Sequence, residues 1–136
     1  MGDEKTKSVY DLNLERDTFI TLISKRKTGK SLCHYFMTHP DPENRCHYMY
    51  VFSKTAAKNK QTNSSYSFLD PRAILDPDNM TNVINQLLIS QQKTQNRYHI
   101  LLVFDDIIVT KRYAILEELA SQGRHSSITV ILSSQI

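Results

Sequence analysis

Tryptophan is absent from this 136-residue chain, glycine occurs three times, proline four times and cysteine twice. Two cysteines, Cys33 and Cys46, are too few for a disulfide framework and point to a reducing compartment. The nearby histidines His34, His39 and His47 do not make them a zinc site. Structural zinc wants close cysteine pairs separated by a longer loop, and that spacing is missing. No apolar run reaches the ~18 residues that a membrane span needs. The polar start Met1-Gly2-Asp3-Glu4-Lys5 has no signal-peptide apolar core. There is no internal repeat and no low-complexity tract. What is present is the composition of a soluble globular chain, 40% hydrophobic and 23% charged, with a net charge of +3. The length suits one domain with a single core. The mild positive charge permits nucleic-acid contact without demanding it.

Periodicity predicts alternating strands and helices. Residues 8–14 alternate and read as an edge strand, with a turn at Glu15-Arg16-Asp17 completing an N-terminal unit over 8–17. Phe19 to Ile23 is apolar and β-branched, as a strand covered on both faces should be. A helix follows from Lys30 to Met37, with Leu32, Cys33, Phe36 and Met37 inward, and His39-Pro40-Asp41-Pro42 stops it. His47 to Ser53 is the next strand. The lysine-, asparagine- and serine-rich stretch over 54–69 reads as a mobile surface loop. Asp70-Pro71 and Asp76-Pro77 are turn or helix-start signals. Met80, Val83, Ile84, Leu87 and Leu88 recur at helical spacing, and Ile100 to Phe104 is a buried strand. A helix with Ile115, Leu116, Leu119 and Ala120 inward follows, with Gly123 expected as its left-handed C-terminal residue. Ile128 to Leu132 is the last strand. This order predicts an α/β chain with a mainly parallel sheet and helices on both faces.

Two segments carry chemistry. Ser24-Lys25-Arg26-Lys27-Thr28-Gly29-Lys30-Ser31 follows the first long apolar strand and opens a helix. Backbone N–H groups in such a turn converge on phosphate oxygens, and the helix dipole favours the negative charge. In this Walker A pattern Gly29 admits the phosphates, Lys30 bridges the β- and γ-phosphates, and the Ser31 hydroxyl binds magnesium. Ser24 stands where the pattern usually has its first glycine. The strand ending in Asp105-Asp106 supplies the other side: Asp105 to hold magnesium and Asp106 to orient or deprotonate water. Ser133-Ser134-Gln135 follows the last strand, where Gln135 can bond the γ-phosphate or the lytic water. Arg124 can reach a neighbouring subunit's nucleotide as an arginine finger. The expected ligands are ATP and Mg2+.

With these residues in place, the chain resembles the genome-packaging ATPases of large double-stranded DNA viruses and virophages, the poxvirus-type members of the FtsK–HerA superfamily. Three features carry the resemblance: basic residues inside the phosphate loop, Asp-Asp in place of Asp-Glu, and the Arg124-His125 turn ahead of a strand leaving through Ser134-Gln135. It implies a P-loop NTPase with a three-layer α/β/α, RecA/FtsK-like core spanning 1–136. It implies a ring-forming motor that translocates double-stranded DNA into capsids at assembly sites in the host cytoplasm, with capsid or portal-site proteins as partners. Carried onto this chain, Lys30 and Ser31 bind nucleotide and magnesium, Asp105 binds magnesium, Asp106 is the catalytic carboxylate, Gln135 is the sensor and Arg124 the trans finger. Family members continue beyond the sensor strand. The resemblance therefore implies a core truncated there, with the strand at 19–23 left as an edge. The loop from Lys54 to Lys60 is a weak candidate for gripping DNA. On the residues alone, a cellular translocase or helicase, a small nucleotide kinase and a nucleotide-binding assembly module without turnover stay open.

Overall fold

The run Ile100-Leu101-Leu102-Val103-Phe104 has no polar member, and it becomes the strand buried on both faces. The computed structural model describes residues 14–23, 28–58, 69–105 and 114–134. Along them lie β1 (Phe19–Ile23), α1 (Thr28–Met37), β2 (Tyr48–Phe52), α2 (Lys54–Lys58), β3 (Ile74–Leu75), α3 (Met80–Lys93), β4 (Ile100–Asp105), α4 (Ala114–Gln122) and β5 (Ile128–Ser134). The strands form one sheet, ordered β1-β5-β4-β2-β3, and every pairing is parallel. β4 is the middle strand, and residues 100–104 are all buried.

Period-two alternation divides the core between the two faces. Leu101 and Val103 of β4, Met49 and Val51 of β2 and Ile131 of β5 pack with Leu32, Cys33, Tyr35 and Phe36 of α1. The intervening residues Leu102, Phe104, Phe52 and Val130 pack with Met80 and Ile84 of α3 and Ile115 and Leu119 of α4. Each fully buried aliphatic or phenyl side chain contributes roughly 1.5–3 kcal/mol through burial. On the second face the register pair Phe52 and Phe104 stacks with centroids 4.9 Å apart and planes 6° from parallel. No helix among the described residues is long and apolar enough to cross a membrane.

Local chemistry explains the boundaries. Asp76 accepts a hydrogen bond from the Asp78 N–H at 2.9 Å, Pro77 follows it, and this turn leads into α3. Asp70 does the same for Arg72 at 2.9 Å ahead of β3. β3 itself has two residues, too few to show a pattern in the sequence.

Several expectations need correction. Residues 54–58, expected to begin a loop, form α2: the Ser53 Oγ caps it by accepting from the Ala56 N–H at 3.2 Å, and Ala56 is buried against the α1-side core. The rest of the expected loop, 59–68, lies outside the described residues, as does the expected strand at 8–13. Among the described residues β1 is at the edge of the sheet, yet it meets both cores, with half-buried Ile20 packed on the α1 side and half-buried Phe19 on the α3 and α4 side, while Thr21 is exposed. Tyr35 is buried on α1 where Met37 is only half-buried, and Ala120 is exposed on α4. Gly123 is not left-handed. It opens a short 3-10 turn over Gly123–Ser126, which carries the helical path onward, and Ser127 makes the reversal at φ 57°.

Candidate active site

The parallel register lines up three strand ends. Leu22 of β1 pairs with Ser133 of β5, and Ser133 pairs with Asp105 of β4. One step further, Ile23 pairs with Ser134. Ser133 and Ser134 are therefore the end of β5 itself, rather than residues after it. From β1 the chain passes to α1 on one face of the sheet, and from β4 to α4 on the other. Strands whose exits go to opposite faces open a crevice at their carboxyl ends, where ligands of such sheets bind. Here β5 fills the floor between β1 and β4.

α1 and Asp105 meet over this crevice. Burial pushes the Cys33 thiol up to about 12, and the Asp105 carboxylate adds to the rise. Leu101 and Val103 of β4 pack against Leu32 and Cys33, and Asp105, two residues on, shares their face of the sheet. Ser31, two residues before Cys33, is exposed on the same helix. A hydroxyl and a carboxylate are hard oxygen donors of the kind magnesium takes alongside substrate phosphates. Cys33 stays protonated at neutral pH, so it offers no competing thiolate.

The backbone of Thr28, Gly29 and Lys30 forms the first turn of α1, as the motif requires of a helix N-terminus. Ser24, Lys25, Arg26, Lys27, Asp106 and Gln135 lie outside the described residues. Each adjoins a described element: 24–27 links β1 to α1, Asp106 follows β4, and Gln135 follows β5. Arg124 is not brought to the crevice. It is exposed at the other end of β5, and a seven-residue strand is about 20 Å long. Among the described residues no group of three or more histidine, cysteine or carboxylate side chains is placed to hold a metal ion.

The amino edge of the sheet holds a cluster that sequence reading passed over. His99, at the entry to β4, places Nδ1 3.0 Å from the Asp17 carboxylate, and the His99 backbone N–H donates to the His47 Nδ1 at 2.9 Å. The Asp17 N–H donates to the buried Thr129 hydroxyl at 2.7 Å, which fixes Asp17 at φ 66°. Arg16 donates to the Arg45 carbonyl at 2.9 Å along the same edge. The pKa of His47 is lowered, first by desolvation, then by the charges of His99, Arg16 and Arg45. The sequence signal was available: Arg16, Arg45, Arg72, Arg97 and Arg124 each stand within four residues ahead of a strand.

No protein-family profile matches the chain, and no curated protein and no solved structure matches it.

Proposed function

We propose that the chain is the nucleotide-binding core of an ATP-hydrolysing motor that moves double-stranded DNA into viral capsids. The observation that carries this reading is the place of Asp105 on the face of β4 whose Leu101 and Val103 pack against α1, the helix that opens with Thr28-Gly29-Lys30-Ser31. A strand-end carboxylate facing the first turns of a helix in a Walker A context is the arrangement that phosphoryl transfer to water needs. The all-parallel sheet, with β5 between β1 and β4, supports the same reading, because it sets the ends of β1, β5 and β4 at Ile23, Ser134 and Asp105 side by side.

In this reading the 24–31 turn holds the phosphates, Lys30 neutralises charge at the β- and γ-oxygens, and Ser31 and Asp105 hold magnesium. The ion, when bound, offsets the charge that develops on the phosphates. Asp106 accepts the proton of the attacking water, and Gln135 bonds the γ-phosphate or that water. Arg124 acts in this scheme only on a neighbouring copy within a ring. DNA, capsid or portal-site proteins and a place at cytoplasmic assembly sites belong to the same proposal.

The test is ATP binding and phosphate release by the protein, with and without duplex DNA. Lys30→Ala abolishes nucleotide binding, and Asp106→Asn spares binding while stopping turnover. ATP bound by the complete protein without phosphate release in the presence of DNA overturns the motor reading, in favour of a nucleotide-binding assembly module.

A further inference from the structure

Side chains join the strand entries at the amino edge of the sheet. Asp17 stands ahead of β1, His47 ahead of β2 and His99 ahead of β4, and Thr129 lies in β5. One line of contacts runs through all four. The His99 backbone N–H donates to His47 Nδ1 at 2.9 Å, His99 Nδ1 lies 3.0 Å from Asp17 Oδ1, and the Asp17 N–H donates to the Thr129 hydroxyl at 2.7 Å. The partners are 52, 82 and 112 residues apart, so no local turn brings them together. Beside this line, the His47 backbone N–H donates to the His99 carbonyl at 2.8 Å.

These contacts fix where the protons sit. A backbone N–H can only donate, so His47 Nδ1 must be bare and its ring proton lies on Nε2. An ionised carboxylate can only accept, so His99 Nδ1 carries its proton. The two histidines therefore answer acid in opposite ways. A second proton on His99 enters at Nε2, keeps the bond to Asp17 and makes it charge-assisted. A second proton on His47 enters at Nδ1, faces another donor and ends the bond.

The surroundings of His47 favour that release. The His99 ring is 5.8 Å away, centre to centre. Arg16 is held on the Arg45 carbonyl at 2.9 Å, and Arg45 on the His39 carbonyl at 2.8 Å, so both guanidiniums are fixed in place. Asp17, the carboxylate of the line, is engaged by His99 and stands 3.9 Å from Arg16. Tyr98 meets the His47 ring edge to face at 5.8 Å, and Arg97 lies over Tyr98 on its way to solvent. Desolvation first, then the charges of His99, Arg16 and Arg45, hold the His47 pKa below its ordinary 6.5. His47 is exposed, so its ring can leave without opening a cavity.

We propose that His47 is an acid-released latch on the amino edge of the sheet. Neutral His47 holds the His99 N–H and ties the side-chain line to the entry of β2. Protonated His47 turns to solvent, frees that N–H and uncovers the edge of Tyr98. The sign follows from the lowered pKa: the closed form binds fewer protons than the open one, so the latch is closed above pH 6.5 and opens as pH falls through the lowered value. The opening is local, because the Asp17 bond to Thr129 and the strand ladders do not involve His47 Nδ1. This inference is independent of the nucleotide reading.

The experiment is NMR of the 15N-labelled protein from pH 8 to pH 5, following the histidine ring nitrogens and the His99 amide. At pH 8 His47 shows the Nε2–H tautomer, and it titrates below pH 6.5. The His99 amide resonance moves with the same midpoint. Its hydrogen-exchange protection factor falls by about tenfold from pH 7.5 to pH 5, the scale of one lost hydrogen bond. His47→Asn places a non-titrating carboxamide oxygen near the Nδ1 position and keeps the protection at both pH values. His47→Phe keeps a ring without an acceptor and loses the protection at both. The titration of the unmodified protein decides the matter even where a variant fails to fold. An Nδ1–H tautomer at pH 8, titration of His47 at or above pH 6.5, a His99 amide that ignores that titration, or an acid step retained in His47→Asn each overturns the proposal.

Discussion

The carboxylate of Asp105, at the end of β4, acts on the thiol of Cys33, two residues beyond Ser31 on α1. Burial is the larger cause of that thiol's raised pKa, and the charge of Asp105 adds to it across the face that β4 packs on α1. That placement makes Asp105 a separable element of the site. Asp105→Asn weakens binding of an ATP analogue in the presence of magnesium by about tenfold, the scale of one lost charged contact. In excess EDTA the variant and the original protein bind alike. Equal weakening in both conditions shows instead that Asp105 holds the structure of the crevice.

Phe104 positions Asp105. Its ring is fully buried and stacked on Phe52 at 4.9 Å. Phe104→Ala removes that stack and leaves a cavity under the end of β4, at a cost of about 3–5 kcal/mol in denaturant unfolding. Phe104→Leu keeps most of the volume and loses substantially less. A cost below about 1 kcal/mol for the alanine variant contradicts the packing described.

Cys46 makes stability depend on alkaline pH. Burial pushes its thiol up to about 11, against the bond to Thr129 that lowers it and with Asp17 raising it further. The ordinary value is 9.0. A raised pKa means that the folded chain keeps the proton while the unfolded chain releases it. The contribution is complete below pH 9 and is lost as pH climbs toward 11. By pH 10 the loss is about 1 kcal/mol. The stability gap between the protein and Cys46→Ala, measured by urea unfolding at pH 8 and pH 10, narrows by that amount. A constant gap refutes the shift, since other titrating groups are common to both proteins.

The turn between α4 and β5 tolerates substitution in an unexpected pattern. A Cβ at Gly123 meets the Ile128 carbonyl oxygen at 3.5 Å, an ordinary contact, and the residue has no positive φ. Gly123→Ala is therefore neutral or stabilising by up to about 1 kcal/mol. Ser127 carries the left-handed strain at φ 57°, so Ser127→Gly is also neutral or mildly stabilising, by less than about 1 kcal/mol. Thermal melts of both variants decide the matter; a Tm drop of several degrees in Gly123→Ala restores the left-handed assignment.

Elements with strong local signals were readable before folding. β4 is an unbroken apolar run up to Asp105, β1 is apolar except for Thr21, and Asp76-Pro77 announces the start of α3 with a capping bond that is present. β3 was not readable, because two residues hold no period and only the pairing with β2 defines it. Gly123 misled because composition favours glycine for a left-handed residue, whereas the extra 3-10 turn moved that conformation four residues on, to Ser127. The parts of the candidate site contiguous in sequence, from Ser24 to Ser31 and at Asp105-Asp106, were legible as motifs. The arginine edge left only a faint signal, an arginine shortly ahead of each strand, because its members are scattered from 16 to 124 and the parallel topology gathers them.

The position of β5 also sets a timetable for folding. β1 is the first described strand of the chain, yet its one partner among the described residues is β5, the last described strand. The bond from the Asp17 N–H to Thr129 closes a separation of 112 residues. On a ribosome, β2, β3 and β4 can pair as they emerge, while β1 must wait until residues 128–134 have left the exit tunnel. Long-range parallel pairing of this kind slows folding and leaves a bare strand exposed in the interval. The crevice at the ends of β1, β4 and β5 therefore closes only once β5 has paired with both neighbours.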